Sequence, residues 1–281
     1  MTAVSEVRPS PIAGTWYAGD PERLARQVDA SLDQAVLPPL PGAVIGVIAP
    51  HAGHRYSGQT AGHAFAALRG QSPEVVAVVS PMHAPAPGAA LTSAHQAYAT
   101  PLGKVRVDRD ALATLDHLLS AEGLDLTPVA NDSEHSLEIE LPFLQRALSG
   151  DWKLLPLMLR SQQPLVARRV GHALAQTLRG RSALLVASTD LSHFYPEEMA
   201  RELDGEMLRC FAQFAPDEIF TAERTGKGFA CGAPAVAAVL WAARELGADT
   251  VEILHYSTSG DQTGDRSSVV GYGAAAILKR I

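Results

Sequence analysis

Residues 44–49 are apolar and rich in β-branched side chains, and the run stops abruptly at Pro50-His51-Ala52-Gly53. A short run with no polar alternation predicts a strand buried on both faces, the habit of a parallel strand covered by helices. The same device recurs at residues 75–80, which lead into Pro81-Met82-His83. Two buried strands that each end on proline and histidine point to an α/β sheet whose functional groups gather beyond the carboxyl ends of its strands.

The remaining pattern agrees with alternating strands and helices. Asp20 as N-cap, Pro21 at the first helical position and Leu24, Val28 and Leu32 at helical spacing predict an opening helix. His54 to Gly58 reads as a loop leading into a small-residue helix over residues 59–68, closed by Gly70. Residues 89–93 and 104–108 read as short strands around the Thr100-Pro-Leu-Gly103 turn, a hairpin insertion or sheet edge. Asp108 or Asp110 caps a helix reaching Leu119, and the polar segment 131–140 precedes another that ends near Leu148. Strands at 153–159, 183–188, 251–256 and 268–278 then alternate with helices at 166–178, 197–214, 217–223 and 236–246. No internal repeat or linker interrupts the chain. The expected fold is therefore one α/β domain over residues 1–281, with a mostly parallel or mixed central sheet flanked by helices. Two halves divided near residue 150 are the alternative.

Composition narrows the function. With 47% hydrophobic and 19% charged residues among 281, the chain can bury a large core. Lys and Arg number 23 against 30 Asp and Glu, a net charge of −7 with no basic block, which argues against nucleic-acid binding. The first residues lack a basic stretch followed by an apolar one, and no run of about 18 apolar residues occurs, so no membrane span is expected. Cys210 and Cys231 are the only cysteines, too few for a disulfide framework and in keeping with a reducing, cytoplasmic setting.

Chemistry concentrates where predicted strands end. His51 and His83 follow two of them, Ser188-Thr-Asp190-Leu-Ser-His193 follows a third, and Cys231 precedes a helix. Two imidazoles and a thiolate suit a divalent transition metal such as Fe, Cu or Zn, and three protein ligands leave a position open. His193 suits acid/base work, with Asp190 three residues earlier to orient it. The same residues also fit a turn cap at Asp190 with His193 merely packed beside it. Glu134 and His135 fit the lining of the same pocket, although a helix cap beginning at Ser133 would explain part of that cluster.

Together Gly14-Thr-Trp-Tyr17, Ala49-Pro-His-Ala-Gly53, Glu134-His-Ser-Leu-Glu-Ile-Glu-Leu-Pro142, Ser188-Thr-Asp-Leu-Ser-His193 and Cys231-Gly232 resemble the Memo family, in family order over residues 13–277. Its bacterial members are also called the B component of the AmmeMemoRadiSam system. The resemblance implies a fold related to the LigB-type class III extradiol dioxygenases. It also implies a mononuclear metal, Fe(II) before Cu or Zn, on His51, His83 and Cys231, with Asp190 and His193 as a pocket pair. Where the dioxygenases use two histidines and a carboxylate, this chain offers Cys231, and Ser80-Pro-Met-His-Ala84 lacks the second histidine of the family's Gly-Pro-Ser-His-His. The implied function is an iron-dependent oxidoreductase of dioxygenase type acting on an unidentified small molecule or peptide. Radical-SAM and AMMECR-type proteins are the implied partners. A metal- or peptide-binding protein without turnover is the alternative, and a zinc hydrolase a third reading.

Overall fold

In a computed structural model, which describes residues 5–280, the two apolar runs become the neighbours of one central strand. The chain opens with strand β1 (Val7–Arg8) and helix α1 (Pro21–Gln34), whose cap Asp20 accepts from the Arg23 N–H at 2.7 Å. β2 (Gly42–Ala49), α2 (His54–Ala66) and β3 (Val75–Pro81) form the first strand–helix–strand unit. β4 (Ala90–Ser93), β5 (Ala97–Thr100) and β6 (Gly103–Arg106) precede α3 (Arg109–Ala121), which Asp108 caps. After β7 (Leu126–Val129) come a 3-10 turn (Glu138–Glu140), α4 (Leu141–Ala147), β8 (Lys153–Leu159), α5 (Pro164–Leu178) and β9 (Ala183–Ser188). β10 (His193–Tyr195), α6 (Glu197–Ala212) and α7 (Pro216–Arg224) follow. α8 (Ala233–Glu245), β11 (Thr250–Thr258), α9 (Ser259–Thr263) and β12 (Val269–Arg280) complete the order.

Nine strands make the main sheet, in the order β10-β12-β2-β9-β3-β8-β4-β7 with β11 also paired to β12. β2, β9, β3 and β8 run parallel, while β12 is antiparallel to β2 and β4 to β8, so the sheet is mixed. All seven residues of β3 are buried, and each buried valine there stabilises the fold by about 1.5–3 kcal/mol relative to exposure. Helices flank the sheet: α8 packs on β9, β3 and α5, and α2 packs on β2, β11, β12 and α1. Among the described residues no helix is long and apolar enough to cross a membrane.

The structure departs from expectation at several places, among them the added strands β1, β5 and β7. α2 starts at His54 rather than near residue 59: the N–H groups of Tyr56 and Ser57 donate to Gly53 O at 2.7 and 3.2 Å, so Ser57 and Gly58 belong to the helix, where a Cβ at Gly58 would lie 3.8 Å from Ser31 Oγ of α1. The Thr100–Gly103 turn joins β5 to β6, and these pair with β1 in a separate three-stranded sheet, while β4 enters the main sheet. β10 was not anticipated. It is a bulged three-residue strand that carries Phe194 at φ 65°, a left-handed conformation costly for an aromatic side chain.

β1 is held by Arg8, one of the most deeply buried large side chains. Its guanidinium donates to Asp132 Oδ1 at 2.8 Å, to Glu134 O at 2.7 Å and to Glu138, and it lies 5.0 Å from the centroid of the Tyr98 ring. Tyr17 Oη also donates to Glu138, at 2.6 Å. The segment 132–138 is thereby fixed from below by a buried ion network. Removing one partner of such a network leaves an uncompensated buried charge.

Arg8→Met should therefore destabilise the protein by about 3–5 kcal/mol, read as a lowered urea midpoint at unchanged slope; a loss below about 1 kcal/mol would contradict the network's role. A pH effect follows from His54, whose ring lies 5.4 Å from Tyr17 and 4.8 Å from Phe143 and whose Nε2–H donates to Ile139 O at 3.2 Å. Burial lowers its pKa to about 4, so the folded protein keeps this imidazole neutral. As pH falls from about 6.5 to 4 the unfolded chain takes up a proton that the folded one refuses, and stability is lost across that window. Wild type should lose on the order of 2 kcal/mol more than His54→Gln between pH 7 and 4 in urea titrations. Parallel curves would remove His54 as the cause.

Candidate metal centre

Parallel pairing in register brings the site together. Ala49 of β2 lies opposite Ser188 of β9, and Val79 of β3 lies opposite Ala187 on the other side of β9. His51 and His83, each two residues past its strand, therefore flank the end of β9. Cys231 closes the triangle from above: its N–H donates to Asp190 O at 3.2 Å, and the Asp190 N–H donates to Cys231 Sγ at 3.3 Å. Gly232 permits that docking, because a Cβ there would lie 2.3 Å from Ser188 O. The ligand atoms of His51, His83 and Cys231 lie within 4.8 Å of one another, and His51 Nε2 is 3.1 Å from Cys231 Sγ.

Each imidazole is braced on its far nitrogen. His83 Nδ1 donates to Glu134 Oε1 at 2.9 Å, and the His83 N–H donates to Oε2 at 2.6 Å. Oε1 also receives the N–H groups of His135 at 2.9 Å and Ser136 at 3.0 Å. Burial acts to raise the Glu134 carboxyl, but the bonds from His83 and Ser136 outweigh it and hold it well below the usual range. The hydrogen bond to Glu134 in turn raises His83. His51 Nδ1 lies 2.8 Å from Ser188 Oγ, and its ring is lowered by burial and then by the charges of His135 and His83.

His83, Glu134 and His135 form a second group with ligand-capable atoms in reach. It is the poorer receptor, because both Glu134 oxygens are already occupied by N–H donors. Glu134 is buried beneath the site and orients His83 rather than lining a pocket, with a side chain 1% exposed. No helix begins at Ser133; the first helical turn after it is Glu138–Glu140. The His135 ring is sandwiched between Trp16, at 4.0 Å, and His83, at 4.8 Å, and burial lowers its pKa to about 4.

Asp190 does not orient His193, contrary to the sequence expectation. Its carboxylate turns across the β2–β9 pair and accepts from the His51 N–H at 2.7 Å and the Ala52 N–H at 3.3 Å. Burial still raises it to about 7. His193 instead donates from Nδ1 to Leu191 O at 2.8 Å, which leaves Nε2 with its lone pair. Its pKa is lowered by burial, so the ring is neutral near pH 7. Asp204 on α6 fixes this turn by accepting from the Ser192 N–H at 2.8 Å. Burial raises the Cys231 thiol, with the Asp190 charge second.

A cavity of about 470 Å³ is lined by chain neighbours of the site rather than by His51, His83, Cys231 or His193 themselves: Ala52 and Gly53, just past His51, and Phe194, just past His193. Trp16, Tyr56 and Tyr272 supply aromatic walls. Phe194 and Phe229 each meet His193 edge-on, at 5.7 Å. Sequence reasoning missed Ser188, Glu140, Asp204 and these aromatics. The first two lie inside quoted motifs, whereas Asp204 sits on an ordinary charged helix with no signal.

The donor set, two neutral-capable imidazoles and a thiol, fits a divalent transition ion, which binds nitrogen and sulfur better than Mg or Ca do. Comparison with known proteins agrees in extent. A family model described as Memo-like protein matches residues 8–276. A MEMO1 family protein of Nitrosopumilus maritimus is 33% identical over 276 residues, covering 97% of this chain and all of that one. Those of Methanopyrus kandleri and Methanothermobacter thermautotrophicus are each 34% identical, covering 96% and 95% of this chain and 98% of theirs. Full-length matches of this kind make the chain a member of the Memo family.

Proposed function

We propose that the protein holds one divalent transition metal, Fe(II) before Cu or Zn, on His51, His83 and Cys231, and works as a non-haem iron-dependent oxidoreductase of dioxygenase type. The observation that carries this reading is the convergence of the three ligand atoms within 4.8 Å, with each imidazole already braced on its other nitrogen. Bracing of this kind fixes tautomer and ring direction before a metal arrives. A metal there would supply Lewis acidity and, for iron or copper, redox capacity.

The chain's own groups have separable tasks. The aromatic cavity would receive an apolar or aromatic part of a small molecule or peptide and exclude water from it. His193 would accept a substrate proton at Nε2, its other nitrogen being committed to Leu191 O. Asp190 would hold the backbone turn at His51 and Ala52 in place, a positioning task. The sulfur at the third corner departs from the carboxylate of ring-cleaving dioxygenases, so the substrate does not transfer from the fold. Radical-SAM and AMMECR-type proteins belong to this proposal as partners.

Protein purified without chelator should carry close to one metal per chain by element-resolved mass spectrometry, and His51→Ala should abolish it; a metal-free wild type unable to take up Fe(II) would refute the centre. With Fe(II) loaded, oxygen uptake over a panel of catechols and short peptides should fall on the order of 10²–10⁴-fold in His193→Ala, the usual worth of a general base. Equal uptake in both proteins, or none in either with metal still bound, would favour a binding protein without turnover.

A further inference from the structure

Glu140 has no place in the tasks above, yet it is completely buried and, among the described residues, has no cation partner. Its Oε2 has no hydrogen-bond partner among the described residues, and its Oε1 lies 2.7 Å from Ser188 Oγ. An isolated ionised carboxylate at such a position is very costly, and burial pushes this carboxyl well above its ordinary range. Ser188 Oγ meanwhile has three close polar neighbours: Ser136 O at 2.7 Å, Glu140 Oε1 at 2.7 Å and His51 Nδ1 at 2.8 Å.

Counting protons decides these contacts. The Ser136 carbonyl has none to give, so the single Ser188 hydroxyl proton goes there. The contact with Glu140 then needs a proton from Glu140, and the contact with His51 needs one from Nδ1. Only one assignment makes all three into hydrogen bonds: a neutral Glu140 and an Nδ1–H imidazole at His51. That tautomer leaves His51 Nε2 bare, 3.1 Å from Cys231 Sγ.

We propose that Ser188 is a positioning residue for the metal centre: with its hydroxyl proton on Ser136 O and a neutral Glu140 donating to it, its oxygen accepts from Nδ1–H and holds His51 as the Nδ1–H tautomer with Nε2 open to the metal. This rests on the reading of His51 as a ligand. Without the Ser188 oxygen, Nδ1–H loses its acceptor, and the imidazole proton can then sit on Nε2 facing Cys231, where it blocks coordination. Glu140 only donates to the hydroxyl oxygen, so replacing it leaves the Ser188 proton on Ser136 O and the His51 tautomer unchanged.

The test uses the metal-free protein first. Long-range ¹H–¹⁵N spectra should show His51 protonated on Nδ1 in wild type, Glu140→Gln and Glu140→Leu, and shifted toward Nε2–H in Ser188→Ala. Infrared difference spectra at neutral pH should contain a protonated-carboxyl band that Glu140→Gln removes. Anaerobic Fe(II) affinity, by chelator competition, should fall about 10–100-fold in Ser188→Ala and stay within a few-fold of wild type in Glu140→Gln and Glu140→Leu. Should Glu140→Leu not fold, Ser188→Ala and Glu140→Gln carry the comparison. An Nε2–H His51 in wild type, no such carboxyl band, or wild-type affinity in Ser188→Ala would overturn the proposal. Because tautomer and carboxyl state are read without metal, they stand or fall apart from the metal reading, which fails if wild type takes up no Fe(II) or if His51→Ala keeps it.

Discussion

Everything at this site depends on β2, β9 and β3 being parallel neighbours in fixed register. A one-residue slip would turn each strand's side chains to the opposite face and separate the three ends. Apolar burial on both faces of the strands prevents the slip, so the same valines and isoleucines that stabilise the sheet also set the spacing between His51 and His83. Cys231 is added by a different means, the close docking of the α8 start on β9 that Gly232 allows.

Bringing so many polar groups under the sheet's edge is expensive unless each is paired. The structure meets that cost with carboxylates that serve backbone and imidazole N–H groups. Glu134 braces His83, Asp190 holds the turn at His51, and Asp204 holds the turn at His193. Arg8 and Tyr17 in turn steady the segment that bears Glu134. Rigidity at the candidate ligands is thus inherited from the N-terminal strand, far from them in sequence.

The parallel core of the central sheet, β2, β9, β3 and β8, and the strand-end histidines were legible in the sequence because buried parallel strands write themselves as unbroken apolar runs that end beside the histidines. The small β1-β5-β6 sheet was not, since strands of two to four residues depend on long-range pairing that local pattern does not record. Small residues misled at α2, where Ser57 and Gly58 belong to the helix and not to a loop. Within the site, the candidates met in space, but Asp190 found backbone partners instead of His193. Buried carboxylates such as Glu140 and Asp204 look like surface charges in one dimension, and their roles appear only with their partners.

The central claim is that His51, His83 and Cys231 together bind one metal ion. X-ray absorption at the iron edge of the Fe(II)-loaded protein tests it most directly. One sulfur scatterer together with at least two nitrogens is predicted, with the sulfur lost in Cys231→Ser. A shell of nitrogen and oxygen alone in wild type, or one unchanged by that substitution, would contradict it.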